Sequence, residues 1–155
     1  MTLDGPWTGG AALHVRRRYR ATAAEVFAAF TEPARLRQWW FPRGFVVEDL
    51  DFTAAEGQPY RVALRAPDGV RYVHVGVVLE VQAPSLLRYT WRWVEGPLSP
   101  VETLVEVRIS AGTDDVVVDI HHGRFANQAE CDRHTGWFDA VDRLRDYLAG
   151  GPGRP

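Results

Sequence analysis

The chain has 155 residues and a formal net charge of −2, with 46% hydrophobic and 25% charged residues. That is the length of one domain, able to bury roughly 70% of the surface its unfolded chain exposes without disulfide or metal staples. The slight acidity argues against a dedicated nucleic-acid binder, no run of about 18 apolar residues could span a membrane, and the one cysteine, Cys131, excludes an internal disulfide framework and fits a reducing, cytoplasmic setting.

Residues 1–11 are Gly/Pro-rich and read as a loose leader, without the charged and apolar regions of a signal peptide. Residues 150–155 read as a disordered tail. Between them, residues 12–149 form one unit with no repeat or low-complexity segment. All basic residues are Arg, which reads as compositional bias. Six Trp, five Tyr and seven Phe are more informative, because Trp is often placed where one side is wet or meets a ligand.

Leu13, Val15 and Tyr19 alternate with His14, Arg16 and Arg18 in a first strand that sets Arg17 on the apolar parity. Thr22 and Glu25 form a capping box that opens a helix through Phe30, with Val26, Phe27 and Phe30 as its apolar face. Pro33 suits the first turn of a second short helix ending near Trp39. Six β-rich segments follow: 45–53, 60–65, 71–81, 86–94, 103–110 and 116–122. Pro67-Asp68-Gly69 is the clearest hairpin turn among them. A last helix is expected over 128–149, with His134, Trp137, Val141, Leu144 and Leu148 along one face and Gly150 as its stop. A run of strands with segregated helices predicts an α+β fold, a curved antiparallel sheet wrapped around a long C-terminal helix. Apolar pockets form readily in the gap between two such layers.

Several motifs resemble a known family when taken in order. Residues 21–33 are followed by Leu36, Trp39-Trp40 and Pro42-Arg43-Gly44-Phe45, then Glu56-Gly57-Gln58-Pro59-Tyr60-Arg61, Pro67-Asp68-Gly69 and Val75-Gly76-Val77. Leu87-Arg88-Tyr89-Thr90-Trp91, Thr103-Leu104-Val105, His121-His122-Gly123-Arg124-Phe125 and Gly136-Trp137 complete the set. Together they are similar to START-like (SRPBCC) proteins, and more narrowly to the family named after the activator of heat-shock-protein-90 ATPase. The resemblance covers about residues 13–148. It implies a helix-grip fold with a hydrophobic cavity between sheet and C-terminal helix, needing no cofactor or metal. It does not imply a reaction, because relatives include lipid and polyketide binders, aromatase/cyclases, self-resistance proteins and co-chaperone domains.

The candidate ligand-binding residues are Arg17, Phe27, Trp39, Trp40, Tyr60, Trp91, Trp93, His122, His134, Trp137 and Val141. At least one of Trp39 and Trp40 is expected at a cavity rim, with core packing as the alternative. Trp91 and Trp93 share one strand face and form either a stacking wall for a flat ligand or a surface covered by the helix. Arg17, costly to bury unpaired, meets either a ligand anion or an acid such as Asp49 or Asp51. At most one of His121 and His122 points inward, and valines on both faces leave open which. His134 is either a core histidine or an acid/base. Cys131, His134 and a nearby His lack a second close ligand pair for zinc, and no third group orients a Cys–His nucleophile pair. No catalytic residue is assigned.

Three readings follow. The first is a protein that binds a hydrophobic, aromatic or polyketide-like small molecule, for sequestration or self-resistance to a natural product. The second is a polyketide cyclase or aromatase using the same cavity. The third is a co-chaperone-like interaction module, which would need an apolar outer sheet face. Neither nucleic acid nor membrane is an expected partner, and charge and composition are compatible with a monomer or a homodimer.

Overall fold

Alternation in the first strand is visible in its burial. In a computed structural model, which describes residues 11–150, β1 (Ala11–Tyr19) buries Val15 and Tyr19 and turns His14, Arg16 and Arg18 to solvent. Ala11, expected in the leader, already belongs to this strand. The rest of that leader and residues 151–155 of the tail lie outside the described residues.

Helix α1 (Ala23–Thr31) opens on the expected capping box: the Glu25 amide donates to Thr22 Oγ1 at 3.1 Å, and the Thr22 amide donates to Glu25 Oε1 at 3.0 Å. A cap of this kind contributes about 1 kcal/mol. Helix α2 (Pro33–Leu36) has Pro33 in its first turn. It is shorter than expected, and Trp39 follows in a turn.

The remaining strands are β2 (Val46–Asp51), β3 (Pro59–Arg65), β4 (Arg71–Gln82), β5 (Leu86–Glu95), β6 (Thr103–Ala111) and β7 (Val116–Phe125). Together with β1 they form one seven-stranded antiparallel sheet of order β1-β7-β6-β5-β4-β3-β2. The β3–β4 turn is the predicted one: Gly69 takes φ +89°, and the Val70 amide donates to Asp68 Oδ1. Val15, Ile120, Val107 and Leu87 lie opposite one another across β1, β7, β6 and β5. That register puts all four on the inner face, where they join the core. The outer face is laced with ion pairs, among them Glu48 with Arg65 and Arg71, and Glu106 with Arg88 and Arg108.

The C-terminal segment departs from expectation. In place of one helix over 128–149 there are two, α3 (Gln128–Asp132) and α4 (Gly136–Leu148). Two local causes break it. His134 Nδ1 lies 2.8 Å from the Glu130 carbonyl and takes the acceptor that a continuous helix would give to the His134 amide, which bonds to Cys131 O instead. Gly136 also lies against Pro42, where an added Cβ would sit 2.9 Å from the proline Cγ. The apolar stripe survives the break. His134, Trp137, Val141, Leu144 and Leu148 are all buried against the sheet. Tyr19 clamps α4 to β1 by donating its hydroxyl to the Val141 carbonyl at 2.9 Å. Gly150 ends the helix at φ +96°. Among the described residues no helix is long and apolar enough to cross a membrane.

Candidate functional site

A cavity of about 370 Å³ lies between the sheet and the α3–α4 corner. Trp40, Phe41, Pro42 and Phe45, from the segment after α2, form one wall. Leu64 of β3, Tyr72 and His74 of β4, and Trp91 and Trp93 of β5 form the sheet wall. Arg133, His134, Gly136, Trp137 and Ala140 form the helix wall, and Leu98 of the β5–β6 loop completes the rim. This volume lies within the range of small-molecule sites.

The segment 40–45 is held against α4 from several sides. Arg143 donates to the Phe41 and Gln38 carbonyls and places its guanidinium 4.3 Å from the Phe41 ring centroid. The Arg43 amide donates to Asp139. These ties fix Trp40, Phe41 and Pro42 relative to the helix wall.

Two histidines position the tryptophans. The Trp93 indole N–H donates to His134 Nε2 at 2.9 Å, while His134 Nδ1 donates to the Glu130 carbonyl. The Trp137 indole N–H donates to His122 Nδ1 at 3.0 Å. His122 Nε2 donates to Thr103 Oγ1 at 2.7 Å, and that hydroxyl donates onward to the Trp91 carbonyl at 2.9 Å. Each imidazole therefore accepts at one nitrogen and donates at the other, which defines a neutral tautomer. Burial holds both below the ordinary histidine pKa, His122 well below, where the neighbouring His134 and His74 add to the effect. Neither has a nitrogen left for proton transfer. Each indole–imidazole bond contributes about 1 kcal/mol net and locks an aromatic wall in one rotamer.

His74 is the third member. Its ring stacks on Trp91 with centroids 3.7 Å apart and planes 6° from parallel. Tyr60 donates its hydroxyl to the Thr90 carbonyl at 2.7 Å and faces His74 Nδ1 at 3.4 Å. Burial, and then the nearby His134, push His74 well below its ordinary pKa. Burial likewise raises the Tyr60 phenol well above its own. Two indole donors in the wall stay unsatisfied. Trp91 Nε1 is buried with no acceptor, and the Trp40 N–H approaches the Tyr89 hydroxyl without forming a well-made bond.

The cavity gathers Trp40, Trp91, Trp93, His134 and Trp137 from the sequence candidates. Tyr60 and His122 stand behind its wall as supports. Of the tryptophan pair, Trp40 reaches the cavity, whereas Trp39 is fully buried and donates its indole N–H to the Ala29 carbonyl. Val141 is core, and Phe27 is half-buried on α1. Arg17 keeps its inward parity but does not line the cavity, and its expected partners are corrected. β1 and β2 occupy opposite edges of the sheet, so Asp49 and Asp51 are out of reach. Its acidic neighbour is Asp142 of α4 at 3.9 Å, and Asp49 pairs with Arg61. Of the paired histidines, His122 faces inward and His121 stacks on His14 across the outer face. His74, Tyr72, Phe41 and Phe45 are wall residues that sequence reasoning missed. For His74 the signal was its shared parity with Tyr72 and Val78 on β4. Among the described residues no cluster of three or more His, Cys, Asp or Glu could hold a metal ion.

Residues 20–149 match the family model described as Activator of Hsp90 ATPase homolog 1-like protein. Solved structures share the fold. One is a protein of the same description from Silicibacter pomeroyi, 24% identical, covering 90% of this chain and 98% of that one at a TM-score of 0.81. Another is a Chromobacterium violaceum protein, 22% identical, covering 93% and 97% at a TM-score of 0.80. A third is a protein of the dynemicin biosynthetic locus, 24% identical, covering 93% of this chain and 49% of that one at a TM-score of 0.69. No curated protein matches the sequence.

Proposed function

The chain belongs to the Activator of Hsp90 ATPase homolog 1-like family, and from that membership and the cavity we propose that it binds a flat, hydrophobic aromatic small molecule between sheet and C-terminal helix. One observation carries the reading. Four tryptophans, Trp40, Trp91, Trp93 and Trp137, wall a cavity of about 370 Å³. Two of them are fixed by hydrogen bonds to histidines. Preformed aromatic walls lower the ordering cost of binding, and apolar contact contributes about 25 cal/mol per Å² before that cost.

A role in sequestering a natural product or conferring resistance to one fits this chemistry. The fold neighbour from a biosynthetic locus supports that setting. The cyclase alternative gains less support, because His122 and His134 spend both ring nitrogens on structural bonds. The interaction-module alternative meets an outer sheet face crossed by Arg–carboxylate pairs.

The test is native mass spectrometry of the purified protein with a parallel tryptophan-fluorescence titration against flat hydrophobic compounds. A retained small molecule or saturable quenching is expected. A bound compound returned chemically changed would move the reading to an enzyme. An empty protein with no saturable response would overturn the binding reading.

A further inference from the structure

The parts that frame the cavity are held with unequal firmness. Tyr72 stands on β4, which pairs with a strand on either side. Phe41 and Pro42 belong to the segment that Arg143 and Asp139 tie to α4. Leu98 comes from the β5–β6 loop, residues 96–102, which is built differently. Among the described residues this loop joins in no backbone–backbone hydrogen bond. Pro97 and Pro100 have no N–H to donate, and both are exposed, as is Val101. Only Leu98 and Ser99 turn inward, and they are half-buried. Leu98 packs against the edge of the core and lines the cavity. At the start of the loop Gly96 takes φ +107°, where glycine pays no steric cost. A Cβ there would lie 3.2 Å from the Arg71 carbonyl and from the Tyr72 ring.

Two side chains at the end of α3 hold this loop. The Ser99 amide donates to Glu130 Oε1 at 3.0 Å, and Arg133 donates to the Pro97 carbonyl at 3.2 Å. Arg133 also pairs with Glu130 at 3.2 Å. The bond from Ser99 is the main reason the Glu130 carboxyl titrates below its ordinary range. Glu130 does not line the cavity. Its backbone carbonyl serves His134, so a change of side chain leaves that wall bond in place.

We propose that the β5–β6 loop is a hinged lid on the cavity, turning at Gly96 and latched shut by the Glu130 carboxylate, and that opening of this latch sets the rate at which a ligand enters and leaves. The inference rests on the ligand-binding reading and adds to it the route and its control. Glu130 and the Ser99 amide lie outside the cavity lining, so their bond stabilises the closed empty protein and the closed filled protein alike. Weakening it speeds entry and exit by the same factor and leaves affinity where it was.

Stopped-flow fluorescence with 1-aminoanthracene, a flat neutral probe, measures both rate constants, and an equilibrium titration measures Kd. Glu130→Ala should raise association and dissociation together roughly tenfold, the worth of a hydrogen bond to a charged group, with Kd within about twofold of wild type. Glu130→Gln keeps an oxygen for the Ser99 amide and should return most of the way to wild-type rates. The second readout uses unmodified protein. Hydrogen exchange followed by NMR should show the Ser99 amide exchanging at a rate that low urea does not change, the mark of local opening. Exchange of the Val105 amide, in the centre of the sheet, should rise with urea through global unfolding. Unchanged rates in Glu130→Ala, or a change in Kd carried by one rate alone, would overturn the lid while leaving ligand binding intact. So would a Ser99 amide that exchanges only on global unfolding. Failure of 1-aminoanthracene to bind the wild type would remove the ligand-binding reading itself, and the lid with it.

Discussion

The Trp93 indole N–H donates to His134 Nε2 at 2.9 Å across 41 residues of sequence, joining the sheet wall of the cavity to the start of its helix wall. The same imidazole interrupts the C-terminal helix by taking the Glu130 carbonyl. One side chain thus sets the ring position of a tryptophan and the corner between α3 and α4.

His134→Ala removes both bonds. It leaves the Trp93 donor buried and unpaired and opens a void at the corner. A loss of about 2–4 kcal/mol in unfolding free energy is expected, combining the orphaned donor with the missing side chain. Urea denaturation measures it. Tryptophan emission should shift to the red as Trp93 gains freedom. An unchanged midpoint and spectrum would show that the pair does not organise the wall.

The buried histidines give stability a defined pH dependence. His74, His122 and His134 are lowered by burial in the folded state relative to the unfolded chain, where a histidine titrates near 6.5. Below that value the unfolded state binds more protons, so stability falls as pH falls. It is fully present above about pH 6.5 and is lost progressively toward the folded-state pKa values. Each histidine contributes a slope of about 1.4 kcal/mol per pH unit within its window. Denaturation midpoints at pH 7.5, 6.5 and 5.5 should fall slightly across the first step, where the unfolded histidines become half protonated, and about three times as far across the second. His74→Phe should flatten the drop.

Leu98 is half-buried on the rim, where it packs against the edge of the core cluster. Leu98→Trp should block the cavity at a stability cost of about 1–2 kcal/mol, within the range for enlarging a partly packed side chain. Binding of any aromatic probe should weaken at least tenfold, roughly the value of the contact area denied to it. A variant that binds as well as wild type would place the ligand elsewhere.

Gly136 stands where α4 meets Pro42, and a Cβ there would lie 2.9 Å from the proline Cγ. Gly136→Val should cost about 1–3 kcal/mol by overpacking. The displaced Pro42 belongs to the cavity wall, so ligand affinity should fall with it. Thermal denaturation and a fluorescence titration of the same sample separate the two effects. Loss of stability with unchanged affinity would show that Pro42 can yield without moving the wall.

Much of this was readable in the residues. Alternation located the first strand, since a pleated strand turns successive side chains to opposite faces, and β-branched or aromatic runs between turn residues located the other six. The capping box and the 3-4 spacing located α1 and the buried stripe of the C-terminal helices. Trp91 and Trp93 declared their shared face for the same reason. His74 did so only weakly, because its parity with Tyr72 and Val78 competes with Val73, Val75, Val77 and Leu79 on the other, of which Val77 and Leu79 turn to solvent. Only the β3 and β5 neighbours decide which face is inner.

The sequence by itself determined the element order, the α+β class, the family and the aromatic supply of the site, all of which rest on local periodicity, turn chemistry and motif order. The tertiary structure decided pairings between distant residues. Sheet order carried Arg17 away from Asp49 and Asp51 to Asp142. Strand register turned His122 inward and His121 outward. The bonds of His134 to Glu130 and Trp93 broke a helix that periodicity alone would have continued. Hydrophobic periodicity fixes which way a side chain points on its own element, whereas what it meets depends on which elements become neighbours, and that is settled only when the sheet closes on the helix.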